Sequence, residues 1–160
     1  MAAKKYPITN AIRQLRHAGL SFEAYLYDYQ PRGGTAASSA ALQVDEACVI
    51  KTLLLEDELK RPLVALMHGD REVSLKQLSR IHEVKSLRPC EPKVAERHSG
   101  YQVGGTSPFG LRKPITIYVQ ESILRLPLIF INGGKRGFLV RLAPHLLVET
   151  LGARPASFSA

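Results

Sequence analysis

The spacing of apolar residues along the chain predicts several helices. Between Ile8 and Ala18 they recur at the period of an α-helix, and Gly19 suits the position just after its end. Other helices are predicted where small or apolar residues follow a capping residue or a proline. The first turn of a helix leaves main-chain N–H groups unpaired; a capping side chain binds one of them, and a proline has none to leave unpaired. They cover residues 35–42, 74–81, 92–98 and 144–151.

Alternating and continuous apolar segments predict about seven strands. Between Phe22 and Tyr29 apolar residues alternate with tyrosines, which is typical of a strand with one aromatic face. The mostly apolar ranges Ala47–Leu55 and Pro62–His68 predict buried strands joined by an acidic turn. Shorter strands are predicted at 84–87, 115–119, 127–132 and 138–142. Because helices lie at the start, middle and end without strict alternation with strands, the pattern predicts the α+β class with a curled mixed sheet.

Length and composition restrict the class of protein. The 160 residues, 45% hydrophobic and 22% charged, suffice for one globular domain spanning residues 1–160. The longest nearly pure apolar run, Leu126–Ile131, is too short to cross a membrane, and the first residues lack the apolar segment of a signal peptide. We therefore expect a cytoplasmic protein without a membrane partner.

The uneven charge of the chain points to a polyanionic partner. The chain has 22 Lys and Arg against 14 Asp and Glu, a net charge of +8. Between Lys60 and Arg141, 15 basic and 6 acidic residues give a net charge of +9. Arginines outnumber lysines by 13 to 9, and guanidinium groups suit bidentate contact with phosphates. The alternative is a soluble basic protein with no special partner.

Most familiar catalytic sets are absent from the sequence. Ser107 lies between glycines at the wrong spacing for a nucleophile elbow, and the five histidines form no pair with metal-ligand spacing. We therefore expect neither a metal nor a cofactor. Cys48 lies in an apolar run and is expected in the core. Cys90 is flanked by prolines at 89 and 92, which leaves a thiol-dependent enzyme as one alternative.

Three segments remain as candidates for binding or catalysis. Lys51, followed by Thr52, interrupts an apolar strand; a buried ammonium group requires a carboxylate or a ligand phosphate, unless the strand lies at an edge and the lysine reaches solvent. The loop Gly104–Gly110 is either a simple turn or a place where main-chain N–H groups approach a carbonyl oxygen or a phosphate. The turn Gly133–Gly137 carries two basic residues. They either bind a phosphate or simply face solvent in a hairpin turn.

The order and spacing of these segments resemble the YbaK/ProRS-associated (INS-like) family of aminoacyl-tRNA deacylases. The matching stretches are Lys51–Leu55, Gly100–Gly110 and Gly133–Gly137, and the similarity also covers the opening helix and strand and the closing segment Leu142–Leu151. The resemblance implies an α+β fold with a mixed, mostly antiparallel, barrel-like sheet flanked by helices. It also implies hydrolysis in trans of the ester bond of mischarged aminoacyl-tRNA, with Cys-tRNA(Pro) or a related misacylated tRNA as the expected substrate.

The resemblance also implies roles for residues of this chain. Lys51 is expected to hold a phosphate or ribose of the acceptor end, and the main chain of Gly104 and Gly105 to position the aminoacyl carbonyl. The other expected substrate-binding residues line the pocket, belong to the glycine loop or form the basic turn: Tyr27, Thr52, Ser107, Pro108, Gly110, Gly133, Gly134, Lys135 and Arg136. No side-chain nucleophile is implied, so water, a ribose hydroxyl or the substrate's own thiol attacks the carbonyl. The implied partner is aminoacyl-tRNA, and tRNA(Pro) is the expected tRNA. A transient association with an aminoacyl-tRNA synthetase is also implied.

Two departures from the family pattern leave the amino-acid specificity open. The stretch Gln30–Ser39 is rich in Gly, Ala and Ser and lacks an aromatic residue that cysteine-specific relatives carry. Leu139 stands where some relatives have a polar or acidic residue. The alternative function is therefore a tRNA-binding or regulatory module of the same fold without hydrolytic activity.

Overall fold

The computed structural model describes residues 5–160. The first four residues of the predicted domain, which also belong to the segment examined for a signal peptide, lie outside the described part. The α-helices of this part are α1 Asn10–His17, α2 Gly34–Leu42, α3 Leu75–Ile81, α4 Pro92–Ser99 and α5 His145–Leu151. The strands are β1 Glu23–Leu26, β2 Val49–Asp57, β3 Pro62–His68, β4 Leu87–Pro89, β5 Ile117–Gln120, β6 Ile129–Lys135, β7 Phe138–Leu142 and β8 Arg154–Ala156. Short 3-10 helices lie at Glu46–Cys48 and Glu121–Arg125.

One mixed sheet contains all the strands of residues 5–160. Its order is β1-β7-β6-β2-β3-β5-β8, with β4 paired to the far end of β2. Three pairings are parallel, β2 with β6, β3 with β5 and β5 with β8, and the other four are antiparallel. The α+β class and the mixed, mostly antiparallel sheet flanked by helices are confirmed. The sheet is not closed into a barrel, because β1 and β8 lie at its two ends and do not pair with each other.

The structure differs from the sequence-based elements at a few places. Residues 47–48 belong to a 3-10 helix and not to the following strand, and the strand predicted at 84–87 begins only at Leu87. Strand β8 was not predicted, because three residues that include a proline show no periodicity.

Within residues 5–160, none of the helices has the length and apolar character needed to span a membrane.

The sheet is buried on both faces, which explains why apolar residues occur on both faces of β2. Ile50 and Leu54 of β2 belong to the main core, beneath α1 and α5, whereas Leu55 packs with Leu78 of α3 in a second core. Side-chain caps fix where α1 and α3 begin. The Ser74 hydroxyl, for example, accepts a hydrogen bond from the Gln77 N–H at 3.2 Å.

The sheet opens beside the middle of β2. The pairing of β2 with β6 ends at Ile50, and its pairing with β4 begins at Leu55. On the β4 side one further hydrogen bond forms, from the Cys90 N–H to the Leu54 C=O at 3.0 Å. Residues 51–53 therefore pair only with β3, and we call this interruption the sheet opening.

A C-terminal tail, residues 157–160, crosses the loop that follows β3. Phe158 is fully buried in the second core, and its C=O accepts a hydrogen bond from the Ser74 N–H at 2.8 Å. The Ala160 N–H donates to the Glu72 C=O, also at 2.8 Å. The tail thus fixes the backbone of residues 72–74.

Candidate functional site

A cleft of about 790 Å³ lies at the sheet opening, a volume usual for a site that binds a small molecule. Strand β2, residues 49–55, forms its floor. Its walls come from α2 and the segment before it, the loop after β3, the start of α4, the glycine loop and the β6–β7 hairpin. The cleft therefore brings together segments that are far apart in the sequence.

Lys51 lies on the floor of this cleft, in a central strand and not at a sheet edge. Its Nζ donates a hydrogen bond to the Arg71 C=O and lies 3.4 Å from Oε1 of Glu72. The Lys51 side chain is 18% exposed, whereas that of Glu72 is 83% exposed. Because water reaches this carboxylate, the ion pair is weak, and an anionic ligand that enters the cleft can replace Glu72 at the ammonium group.

Gly104 brings the glycine loop against the opposite wall of the cleft. Its φ is +88°, and a Cβ there would lie 2.7 Å from the Tyr29 hydroxyl oxygen, so any other residue would be strained and would displace the Tyr29 ring. The Gly104 C=O accepts a hydrogen bond from Nδ2 of Asn132 at 3.0 Å. The loop is therefore fixed to both the β6 side and the α2 side of the cleft.

Two main-chain N–H groups of the glycine loop are free to bind a ligand. The N–H groups of Gly104 and Thr106, which line the cleft, donate no hydrogen bond within residues 5–160. The Gly105 N–H instead donates to the Gln102 C=O at 2.8 Å, and Gly105 does not line the cleft. Gly104 and Thr106 therefore carry the main-chain N–H groups of this loop that are open to a ligand in the cleft.

The two basic residues of the β6–β7 turn have different positions. Arg136 lines the cleft, where its Nε donates to the Val103 C=O at 2.8 Å and its Cζ lies 5.1 Å from the centroid of the Tyr29 ring. Lys135 is exposed and does not line the cleft. Only Arg136 is therefore placed to contact a ligand inside it.

The charges that line the cleft favour an anionic ligand. Among the described lining residues, Lys51, Arg32 and Arg136 are cationic, and Glu72 is the single acidic residue. Within residues 5–160, no three His, Cys, Asp or Glu side chains lie close enough together to hold a metal ion. Binding in the cleft thus depends on cationic side chains and main-chain donors.

Ser107, Pro108 and Gly110 lie behind the cleft and shape the glycine loop. Ser107 is fully buried, and its hydroxyl accepts a hydrogen bond from the Phe109 N–H at 3.1 Å. The Gly110 N–H donates to the side chain of Gln14, and a Cβ at Gly110 would lie 2.5 Å from the main chain of α1. These residues are placed to support the loop, not to contact a ligand.

Gly133 and Gly134 also lie outside the cleft. A Cβ at Gly133 would lie 2.5 Å from the Phe138 ring, and one at Gly134 would lie 2.9 Å from the Thr9 side chain. The hairpin therefore needs glycine here because neighbouring side chains occupy the space.

Tyr27, Thr52 and Cys90 line the cleft with different chemical properties. Burial raises the pKa of the Tyr27 hydroxyl. The Thr52 hydroxyl is buried and has no hydrogen-bond partner within residues 5–160. Burial, and after it the nearby Glu56 carboxylate, raises the pKa of the Cys90 thiol to about 11. Cys90 is therefore protonated at neutral pH, which argues against the thiol-dependent enzyme.

Sequence patterns did not select Glu72, Asn132 or Tyr29 for the cleft. A signal for Glu72 does exist, since the β2–β3 hairpin places Lys51 opposite Met67 and so brings residues just beyond β3 near the lysine. Asn132 and Tyr29 have no such signal, because their positions depend on how distant segments pack.

Sequence comparisons agree with this geometry. The family model described as "Aminoacyl-tRNA editing domain" matches residues 31–150. The chain is 30% identical over 151 residues, 93% of this chain and 92% of the relative, to EbsC of Enterococcus faecalis (strain ATCC 700802 / V583), which is named as a candidate Cys-tRNA(Pro)/Cys-tRNA(Cys) deacylase. It is 24% identical over 123 residues, 76% of this chain and 78% of the relative, to the uncharacterised protein YwhH of Bacillus subtilis (strain 168).

Solved structures show the same fold. The hypothetical protein APE2540 superposes with a TM-score of 0.86 at 24% identity, over 94% of this chain and 99% of that one. A candidate trans-editing enzyme for prolyl-tRNA synthetase superposes with a TM-score of 0.84 at 21% identity, over 97% of this chain and 99% of that one. The family, its fold and the expected hydrolase function in editing mischarged tRNA are thus confirmed. The chain belongs to the aminoacyl-tRNA editing domain family.

Proposed function

We propose that this chain hydrolyses the ester bond of Cys-tRNA(Pro) or a related misacylated tRNA(Pro), with the acceptor end held between Lys51 and the free N–H groups of the glycine loop. The observation that carries the proposal is the meeting of one ammonium group and two free main-chain donors in one cleft. Apart from the high-pKa thiol of Cys90, the described lining residues include no His or Cys that could act as a nucleophile or general base.

The chemistry then depends on positioning and on charge stabilisation. Water, a ribose hydroxyl or the substrate's own thiol attacks the carbonyl carbon, and the carbonyl oxygen becomes an oxyanion. The N–H groups of Gly104 and Thr106 are the donors for this oxyanion, and Lys51 binds a phosphate or ribose oxygen of the acceptor end. The bond between the carbonyl carbon and the ribose oxygen that carries the amino acid breaks, and that oxygen takes up the proton lost by the attacking group. With water, the products are the free amino acid and the tRNA. The thiol gives a cyclic thioester and a second ribose hydroxyl gives a new ester, and water then hydrolyses either one to the free amino acid. Donors that are already in place lower the barrier because they need not reorganise as the charge develops.

The surface of the cleft supports a small amino-acid side chain. Val49, Leu53 and Leu139 form an apolar part of the lining that suits a methyl or thiol group. The name of EbsC supports cysteine as the amino acid and proline tRNA as the carrier. We further propose that the protein acts in the cytoplasm and meets an aminoacyl-tRNA synthetase transiently, where mischarged tRNA is released.

A deacylation panel tests the proposal. The substrates are cysteinyl-, alanyl-, seryl- and prolyl-tRNA(Pro), incubated with the wild-type protein, Lys51→Ala and the control Lys113→Ala. Lys113 is exposed and does not line the cleft. Because Glu72 is exposed, loss of its ion pair with Lys51 should cost at most about 1 kcal/mol of stability, and loss of the hydrogen bond to the Arg71 C=O about 0.5–1.5 kcal/mol more.

The expected result is loss of one wrong amino acid with prolyl-tRNA(Pro) spared, an inactive Lys51→Ala protein and a fully active Lys113→Ala protein. Full activity of folded Lys51→Ala would refute the role given to this lysine. Binding of tRNA without turnover across the panel would refute hydrolysis and favour the binding module instead.

A further inference from the structure

The sheet opening exposes main-chain groups of β2 that have no partner strand. In an antiparallel pair, the N–H and C=O of successive residues point alternately toward and away from the neighbouring strand. Because the Leu54 C=O accepts a hydrogen bond from Cys90 on the β4 side, the N–H and C=O of Thr52 point to that same side. The pairing with β6 ends at Ile50, so no strand of residues 5–160 lies opposite Thr52 there.

Thr52 therefore presents one donor and one acceptor side by side at the wall of the cleft. Its hydroxyl is also buried without a partner within residues 5–160. Buried main-chain polar groups are almost always paired, so a site that leaves them open favours a ligand that pairs with them. Of residues 51–53, only Thr52 points its main-chain groups to this side, so the opening offers a single donor and acceptor pair.

We propose that the main chain of Thr52 binds the edge of a nucleobase that presents a ring-nitrogen acceptor next to an exocyclic amino donor. Adenine and cytosine have this edge: the ring nitrogen accepts from the Thr52 N–H, and the amino group donates to the Thr52 C=O. Hypoxanthine and uracil present the reverse, a ring N–H next to a carbonyl oxygen. In the same orientation they would place a ring N–H against the Thr52 N–H and a carbonyl oxygen against the Thr52 C=O. The inference rests on the proposed function for the source of the base, because the CCA end of tRNA contains only these two bases.

The surroundings of Thr52 suit an unstacked base. Proteins recognise single-stranded RNA by stacking bases on aromatic or guanidinium planes and by hydrogen bonds to their Watson–Crick edges. Tyr27 and Tyr29 line the same cleft, and the Arg136 guanidinium lies over the Tyr29 ring. Lys51, the residue before Thr52, supplies a cation for a phosphate next to the base.

Mononucleotides test this inference without any deacylation. We would titrate AMP, CMP, IMP and UMP into the isotope-labelled protein and follow the main-chain amide of Thr52 by NMR. All four carry the same ribose phosphate, so binding of phosphate alone would shift signals equally with each. Comparison of AMP with CMP shows which base of the CCA end the site prefers, the terminal adenine or the cytosine before it.

The expected result is binding of AMP or CMP about ten-fold tighter than IMP and UMP, with a large shift of the Thr52 amide. Thr52→Val keeps the main chain and removes only the hydroxyl, so any loss of affinity should be shared by all four nucleotides and the ratio between them should stay the same. Equal shifts with all four nucleotides, or none with AMP and CMP, would overturn the inference. Since deacylation plays no part, discrimination in a protein that is inactive on the tRNA panel would refute the proposed hydrolysis and leave the base site standing.

Discussion

Replacing Gly104 with alanine tests whether the glycine loop belongs to the working cleft. Gly104 has a φ of +88°, and the new Cβ would lie 2.7 Å from the Tyr29 hydroxyl oxygen and 3.2 Å from two carbons of its ring. Because atoms do not approach so closely, either Tyr29 or the loop has to move. Tyr29 also packs under the Arg136 guanidinium, so a shift of the ring disturbs the whole wall.

The expected loss of stability has two parts. A residue with a Cβ in left-handed backbone costs about 1–2 kcal/mol. Loss of the cation–π contact costs about 0.5–1 kcal/mol more. For a domain of this size each kcal/mol lowers Tm by about 2–4 °C, so Gly104→Ala should melt roughly 3–12 °C lower and remain folded at room temperature. Displacing the Gly104 N–H should lower kcat about 100-fold, the usual cost of losing one oxyanion donor.

Gly19→Ala is the matched control for this variant. Gly19 has a φ of +69°, and a Cβ there would meet nothing within 4 Å. The Gly19→Ala variant should therefore lose only the stability that a Cβ in left-handed backbone costs, about 1–2 kcal/mol, and keep full deacylation activity. Thermal unfolding followed by circular dichroism gives the stabilities, and single-turnover deacylation of the mischarged tRNA gives the rates.

Equal activities of Gly104→Ala and Gly19→Ala would refute the reasoning, because the loop would then have no part in the reaction. A double variant, Gly104→Ala with Tyr29→Phe, checks the cause of the stability loss. It removes the hydroxyl at 2.7 Å and leaves only the 3.2 Å contacts, so part of the lost stability should return. If none returns, the clash with Tyr29 is not the reason for the loss.

Three further predictions concern other parts of the chain. Burial alone would raise the pKa of the Asp57 carboxyl, but hydrogen bonds from Arg61 and from the N–H of residue 59 outweigh it and hold the pKa below its ordinary value. Asp57→Asn should therefore cost about 1–3 kcal/mol at neutral pH. In urea unfolding curves the difference from wild type should begin to shrink only as the pH falls below about 4, the ordinary pKa of Asp, and should vanish below the lowered pKa of the folded state. A difference that does not shrink between about pH 4 and about pH 2 would contradict this. Cys90→Ser should leave deacylation unchanged, and alkylation of the wild-type thiol should rise about ten-fold per pH unit up to its pKa; lost activity would restore the thiol mechanism. Deleting residues 159–160 removes the hydrogen bond to the Glu72 C=O and should lower kcat about 10- to 100-fold with a small change in Tm, whereas unchanged kcat would show that the tail does not position Lys51.

The helices and long strands were predictable because their signals are local. The hydrophobic period of α1, the serine before α3 and the mostly apolar run of β2 each act within a few residues, and all three elements form close to their predicted bounds. Strand β8 was missed because it exists only through its pairing with β5. Its three residues have no pattern of their own.

The candidate site was predictable in its parts but not in its assembly. An ammonium group in an apolar strand predicts a partner, and the structure places Lys51 beside Glu72. The sequence does not show that the strands on either side of Thr52 stop short of each other, because this depends on how β4 and β6 pack. Nor does it distinguish Gly104, which lines the cleft, from Gly110, which fits against α1, since both are glycines in one loop.

The C-terminal tail has a consequence for when the cleft becomes competent during synthesis. The loop that holds Lys51 through the Arg71 C=O is fixed by residues 158 and 160, which emerge from the ribosome about a hundred residues after the lysine. A nascent chain can pair β2 with β3 early, because that contact is local. It cannot fix the backbone at Glu72 until its final strand and tail have joined the sheet. Editing competence should therefore arise only after residues 158–160 have emerged and joined the fold, as a late step of folding.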